Sequence, residues 1–159
     1  MQSSLFKNRF FTRYILGLCC SYFAYNMLVV AIGWHVYDLT NSALSLGLIG
    51  LAQFLPQFLL SLAAGHVADR YDRRTIVSIC QMIQGVMTLV MATAIYAGWM
   101  SSELIYVCAF LIGAARAFYS PATQALMPAL VERDLLPKAI SLSSAARNAA
   151  AIAGPALGA

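Results

Sequence analysis

The residues able to do chemistry in this chain are polar side chains set about one turn apart inside long apolar runs. Tyr22 and Asn26 lie four apart, as do Gln53 and Gln57, while Ser144, Arg147, Asn148 and Ala151 follow spacings of three and four. Each set therefore shares one helical face. Such faces offer hydroxyl and amide groups that either bind a solute along a translocation path or join helices to one another in lipid. Arg116 and Arg147 are the costliest of these residues, because an arginine at membrane depth faces protein or an aqueous cavity rather than lipid. Counting about 1.5 Å per residue, Arg116 descends from one side and Arg147 rises from the other to similar depths. Two readings are open for them. They build a positive vestibule for an anionic or electron-rich solute, or they snorkel to the surface and tie helices through carbonyls.

Other chemistries find no support. Asp38 and Glu103 fall at joints on one side of the apolar runs, and the remaining acids fall at joints on the other. A proton-coupling carboxylate is therefore expected outside this sequence. His35 is either titratable or a member of an interfacial aromatic belt. Gln81 and Gln84 are expected to be packing or interfacial residues. The cysteines Cys19, Cys20, Cys80 and Cys108 sit in apolar runs, without the paired spacing of a zinc site or a redox dithiol. The chain has no His-Glu-x-x-His helix, no Gly-x-Ser-x-Gly elbow and no paired intramembrane aspartates, so an enzyme is not expected. No metal and no organic cofactor is implied.

The elements that must position these residues follow from composition. The chain has 159 residues, is 61% hydrophobic and 10% charged, and has a mean hydropathy of +0.74. Its charges clump, leaving apolar runs of roughly 20 residues, the length a helix needs to cross about 30 Å of hydrocarbon. Five spans emerge: Tyr14 to Tyr37, Ala43 to Val67, Arg74 to Ala97, Leu104 to about Tyr119, and Ala139 to Ala159. The first is too long for a signal-peptide core. The net charge of +4 punctuates the spans instead of massing on one surface, which excludes a nucleic-acid partner.

Lys7, Arg9 and Arg13 precede the first span, Arg70, Arg73 and Arg74 join the second to the third, and Arg133 and Lys138 join the fourth to the fifth. By the positive-inside rule these joints and the amino terminus are expected in the cytoplasm. Trp34, Tyr37, Tyr96, Trp99 and Tyr106 fall at the opposite helix ends, as interfacial aromatics should. The pairs Ala43/Gly47 and Ser61/Gly65 have the spacing of close helix contacts. Pro56 and Pro155 are expected to kink their helices, with Gly154 and Gly158 packing nearby. The sequence stops at Gly-Pro-Ala-Leu-Gly-Ala, still apolar, so a carboxy-terminal half is expected beyond it.

Between the second and third spans stands Gly65-His-Val-Ala-Asp69-Arg70-Tyr-Asp72-Arg73-Arg74. Gly65 permits close backbone approach, Asp72 suits the N-cap of the third helix, and Arg73 and Arg74 suit anionic headgroups. Asp69, near a helix carboxyl end, opposes the helix dipole and needs a partner, with Arg70 and Arg73 the local candidates.

This decapeptide resembles the cytoplasmic signature of the major facilitator superfamily, departing from it where Asp72 replaces a second glycine. Trp34 to Ser42, Gly47 to Pro56, Arg116 to Ala122, Arg147-Asn148 and Gly154-Pro155 are similar to the enterobactin-exporter and drug-efflux branch. The resemblance implies an all-α membrane protein, a partial amino-terminal helix bundle of about five transmembrane helices in a bacterial inner membrane. It implies that Gly65 to Arg74 gate conformation, with Asp69 meeting a helix terminus in the other half, and that Arg116 is the arginine of a fourth-helix motif. Gly154-Pro155-Ala-Leu-Gly158 partly resembles the antiporter motif, with Ala150 and Ala159 standing where glycine is preferred. The implied activity is export of a small amphipathic, drug- or siderophore-like molecule by alternating access. Its implied partners are membrane lipid, that small-molecule substrate and the carboxy-terminal half. The alternatives are a membrane scaffold, an assembly subunit or a non-functional fragment, with a polytopic membrane enzyme less favoured.

Overall fold

The computed structural model describes residues 9–130 and 135–158. The expectations placed on Lys7 and Arg133, on the side chains of Arg9 and Pro155, and on packing at Gly158 lie outside the described residues.

Apolar runs separated by charged joints fold into five helices: α1 (Arg9–Thr40), α2 (Ala43–Arg70), α3 (Arg73–Tyr96), α4 (Ser102–Leu130) and α5 (Leu136–Gly158). Among the described residues there is no strand. The first four helices are long and apolar enough to cross a membrane. The alanine- and serine-rich α5 is not in that group. A second difference concerns α4, which does not end near Tyr119 but continues through Pro121 and Pro128 to Leu130. Proline is tolerated inside membrane helices, where neighbouring groups satisfy the freed carbonyl. At the other end of that joint α5 begins at Leu136, ahead of the expected Ala139.

Turn chemistry explains where the helices stop. Asn41, at a φ of 48°, and Gly98, at 72°, adopt the left-handed conformation that closes a helix carboxyl end. The Asn41 amide donates to the Tyr37 carbonyl at 2.8 Å, and the Gly98 and Trp99 amides donate to Ile95 and Ala94 at 3.2 and 3.1 Å. Ser101 opens α4 by accepting from the Leu104 amide at 3.3 Å.

Alanines share the buried positions with large side chains such as Phe11, Ile105 and Ile112, while many other large apolar side chains face outward. Ala64, Ala94, Ala122, Ala139 and Ala150 are buried, whereas Leu62 is 85% exposed and Leu44, Phe58, Leu59 and Met82 also face outward. Without a hydrophobic drive between helices, small residues let backbones approach, and apolar surface can remain facing lipid. Hydroxyls bond back to their own helices: Thr40 to the Val36 carbonyl, Thr88 to Gln84 and Thr123 to Tyr119. Each of these three hydroxyls is thereby satisfied without water.

Two compact units divide the chain, one containing residues up to Ala31 and from Leu126 onward, the other Ile32–Ala125. In the first, Phe11 and Ile15 of α1 pack with Met127 of α4 and Ala139 of α5. In the second, Ile76 and Cys80 of α3 pack on Ala115, Tyr119 and Ala122 of α4, with Val67 of α2 alongside.

Glycine contacts depart from the expected pattern. Gly47 and Gly65 face open space, so neither brings its helix against a neighbour among the described residues. Ser61 is exposed and donates to the Phe58 carbonyl of its own helix at 2.7 Å. The close approaches occur at Gly113 and Gly154.

Candidate functional site

The joint between α2 and α3 is built by local capping. The Tyr71 amide closes α2 by donating to the Val67 carbonyl at 3.0 Å. Asp72 then opens α3, its carboxylate accepting from the Thr75 hydroxyl at 3.0 Å and the Thr75 amide at 3.3 Å. These bonds favour the ionised form, the hydroxyl most strongly, and hold the carboxyl below its ordinary value of 3.8. Asp72 has room to do this without a glycine there because its φ is −61°.

Arg73 reaches across to α4 and donates from Nη1 to the Ala125 carbonyl at 2.9 Å. The bond fastens the start of α3 to the last part of α4 in this unit. Asp69, Arg70 and Arg74 are exposed. Among the described residues Asp69 has no ion pair with Arg70 or Arg73. Its carboxylate lies at the surface, while the neighbouring Arg73 bonds to α4.

The intramembrane polar residues fall in both units and are described separately. In the first unit, Tyr22 and Asn26 are half-buried on α1, and Asn26 Nδ2 donates to the Tyr22 carbonyl at 2.8 Å. Gly154 of α5 lies against Asn26, so closely that a Cβ there would sit 2.6 Å from the Asn26 Cβ. Ser144 is half-buried on α5, whereas Arg147, Asn148 and Ala151 are exposed.

In the second unit, Gln53 is half-buried on α2, with its backbone against Gly113 of α4. Gln57 is exposed, and Pro56 between them is fully buried within a continuous helix. Arg116 is half-buried one turn beyond Gly113. The His35 Nε2 atom is buried and has no hydrogen-bond partner among the described residues.

Two open grooves lie in the second unit, and both have apolar walls. One, of about 490 Å³, runs between Leu48, Leu51 and Leu55 of α2 and Tyr106, Val107 and Phe110 of α4. The other, of about 300 Å³, runs between α3 and α4 and includes Cys80. None of Tyr22, Asn26, Gln53, Gln57, Arg116, Arg147 or Asn148 lines either groove. Sequence reasoning missed both grooves, although spacings of three and four among apolar residues on α2, α3 and α4 are their signal. Among the described residues, no three His, Cys, Asp or Glu side chains gather to hold a metal.

Residues 3–159 match the family described as transmembrane secretion effector. The staphyloferrin A transporter of Staphylococcus aureus is 27% identical over 129 residues, covering 80% of this chain and 32% of that protein. Macrolide efflux protein A of Streptococcus pyogenes is 27% identical over 153 residues, covering 96% of this chain and 38% of that protein. An uncharacterized MFS-type transporter of Bacillus subtilis is 27% identical over 140 residues, which is 87% of this chain and 32% of that protein. The chain thus spans about a third of the length of these curated relatives. No solved structure matches it significantly.

Proposed function

The chain belongs to the transmembrane secretion effector family of the major facilitator superfamily, and from that premise we propose that it is the amino-terminal part of a secondary exporter of small amphipathic molecules. One relative is named for staphyloferrin A transport and another for macrolide efflux, which supports a drug- or siderophore-like substrate. Such a carrier works by rocking two halves about a central site, so it needs a rigid lever and a contact that breaks.

The joint between α2 and α3 carries this reading. Asp72 fixes the start of α3 and Arg73 fastens it to α4, so the joint moves with its unit. Asp69 stays exposed beside it with no ion pair among the described residues. An unpaired carboxylate on a stiff joint is suited to latch one state by meeting a helix amino end in the second half of the carrier, where the dipole favours negative charge. Tyr22, Asn26, Gln53, Gln57, Arg116, Arg147 and Asn148 are the proposed solute-facing residues. The joint lies on the cytoplasmic side of a bacterial inner membrane, as does the amino terminus, while Gly98 lies outside.

The test is efflux from cells carrying the full reading frame, read with an amphipathic fluorescent dye and a macrolide. Expression should lower accumulation of at least one of them. Unchanged accumulation of both, with the protein at normal abundance in the membrane, would overturn the exporter reading. Cysteines introduced at Tyr71 and Trp99 should react from opposite sides of the membrane; labelling from one side would overturn the topology.

A further inference from the structure

We propose that His35 is a proton-binding site near the outer end of α1, and that a proton taken up there from the external side favours opening of that end. The site depends on the topology proposed above, though not on transport.

His35 differs from its aromatic neighbours. Trp34 is 77% exposed and Tyr37 50% exposed, as residues of an interfacial belt should be. The histidine is half-buried, and its Nε2 atom is buried with no hydrogen-bond partner among the described residues. Ile32, one turn before it, and Val36, next to it, are almost fully buried. The ring nitrogen therefore reaches the packed side of α1, although His35 stands only three residues, about 4.5 Å, from the exposed Asp38.

Buried polar atoms are nearly always hydrogen-bonded, and one left unpaired costs free energy. This chain already encloses Nε2, so a helix from the rest of the carrier has no access to it in this arrangement. A proton needs only that the end loosen enough to admit water. In a protonated imidazole both ring nitrogens are donors, whichever tautomer it came from. Protonation would therefore set a charged N–H at Nε2 with no acceptor among the described residues, and a charged group left unpaired costs more than a neutral one. The enclosed arrangement suits the neutral ring; the protonated ring suits one in which water reaches the outer end of α1. Proton uptake and opening are linked, each favouring the other.

The surrounding groups single out His35 as the one to titrate. It lies in the unit of Ile32–Ala125. The other titratable groups in the outer halves of that unit's helices are Tyr37 and Asp38 on α1, Tyr96 on α3, and Glu103, Tyr106 and Cys108 on α4, while α2 has none before His66. Both carboxylates are exposed, so neither is enclosed with Nε2. Tyr96 is also exposed, and Tyr106 lines the groove between α2 and α4. Among these side chains imidazole is the one that ordinarily changes charge between about pH 5 and 8.

The experiment uses the full-length protein in cells, with the outer pH lowered from about 8 to about 5.5. Val36→Cys and Trp99→Cys are treated with a membrane-impermeant maleimide, and labelling at each position is read by mass spectrometry, which keeps the native thiols apart. Dividing the rate at position 36 by that at position 99, an exposed site, removes the reagent's own pH dependence. The ratio should rise severalfold on acidification. It should stay flat once His35→Gln is added, since glutamine keeps a polar side chain but has no group to titrate; His35→Asn is the second neutral variant. A flat ratio with His35 intact, or the same rise in either variant, would overturn the proposal. No labelling at position 99 would overturn the topology and the site with it. Dye efflux from the same cells separates the remaining readings: a flat ratio with efflux intact rejects the proton site alone, and a rising ratio without efflux rejects the exporter alone.

Discussion

Gly113 on α4 lies directly against the backbone of Gln53 on α2. A Cβ at position 113 would come within 2.9 Å of both the carbonyl carbon and the Cα of Gln53, with the carbonyl oxygen nearer still. The contact falls one turn before Pro56, whose ring supplies no N–H to its own helix. Backbone thus meets backbone at the point where α2 lacks one of its own hydrogen bonds.

Gly113→Ala should therefore destabilise the protein, because the atom in its way is main chain and cannot rotate aside. Overpacking of this kind costs roughly 1–3 kcal/mol. In detergent the melting temperature should fall by several degrees. Gly85→Ala is the control: Gly85 faces open space on α3, and alanine there improves helix propensity. Equal melting temperatures for the two variants would refute the close approach.

Position 154 invites a reciprocal test, since its obstacle is a side-chain carbon. Gly154→Ala places a Cβ 2.6 Å from the Asn26 Cβ, and should reduce stability by roughly 1–3 kcal/mol. Asn26→Gly removes the obstructing carbon. The double variant should be more stable than the sum of the single effects predicts, with a coupling of at least about 0.5 kcal/mol. Strict additivity in thermal unfolding would mean that α1 and α5 do not meet there.

These glycines show what the sequence could and could not reveal. Five helices were legible because charges and turn residues interrupt long apolar runs, and Asp72 was legible as a cap from its place before α3. The end of α4 was not: the fourth span is expected to stop near Tyr119, while the helix passes through Pro121 and Pro128 to Leu130. Gly47 and Gly65 have the spacing of contact residues but face open space, whereas Gly113, spaced four from Ala109 and Ala117, and Gly154, spaced four from Ala150 and Gly158, carry the contacts. A glycine signals that close approach is possible; which face meets a neighbour is decided by tertiary packing. The polar stripes of α1, α2 and α5 were readable as shared faces, but the faces turned toward a solute depend on how complete halves assemble.

Asp72 should make stability depend on acid pH. Its carboxyl is held below the ordinary 3.8 by Thr75, so the folded state favours the ionised form. That contribution is fully present above the unfolded value and is lost as pH falls through the lower folded value. Asp72→Asn keeps an N-cap acceptor and should flatten this acid limb, whereas Asp72→Ala should lower stability at neutral pH as well. An acid limb unchanged in Asp72→Asn would assign the pH dependence to another group.

Asp69 separates stability from function. It is exposed and has no ion pair among the described residues, so Asp69→Asn should shift the stability of this segment by no more than about 0.5 kcal/mol. If its carboxylate latches one state of the carrier, the same substitution in the full-length protein should slow efflux severalfold at unchanged membrane abundance. Asp69→Glu, which keeps the charge on a longer arm, should recover part of the rate. Loss of abundance in Asp69→Asn would instead mark the residue as structural, because a latch acts on the balance between two folded states and leaves the folding of each untouched.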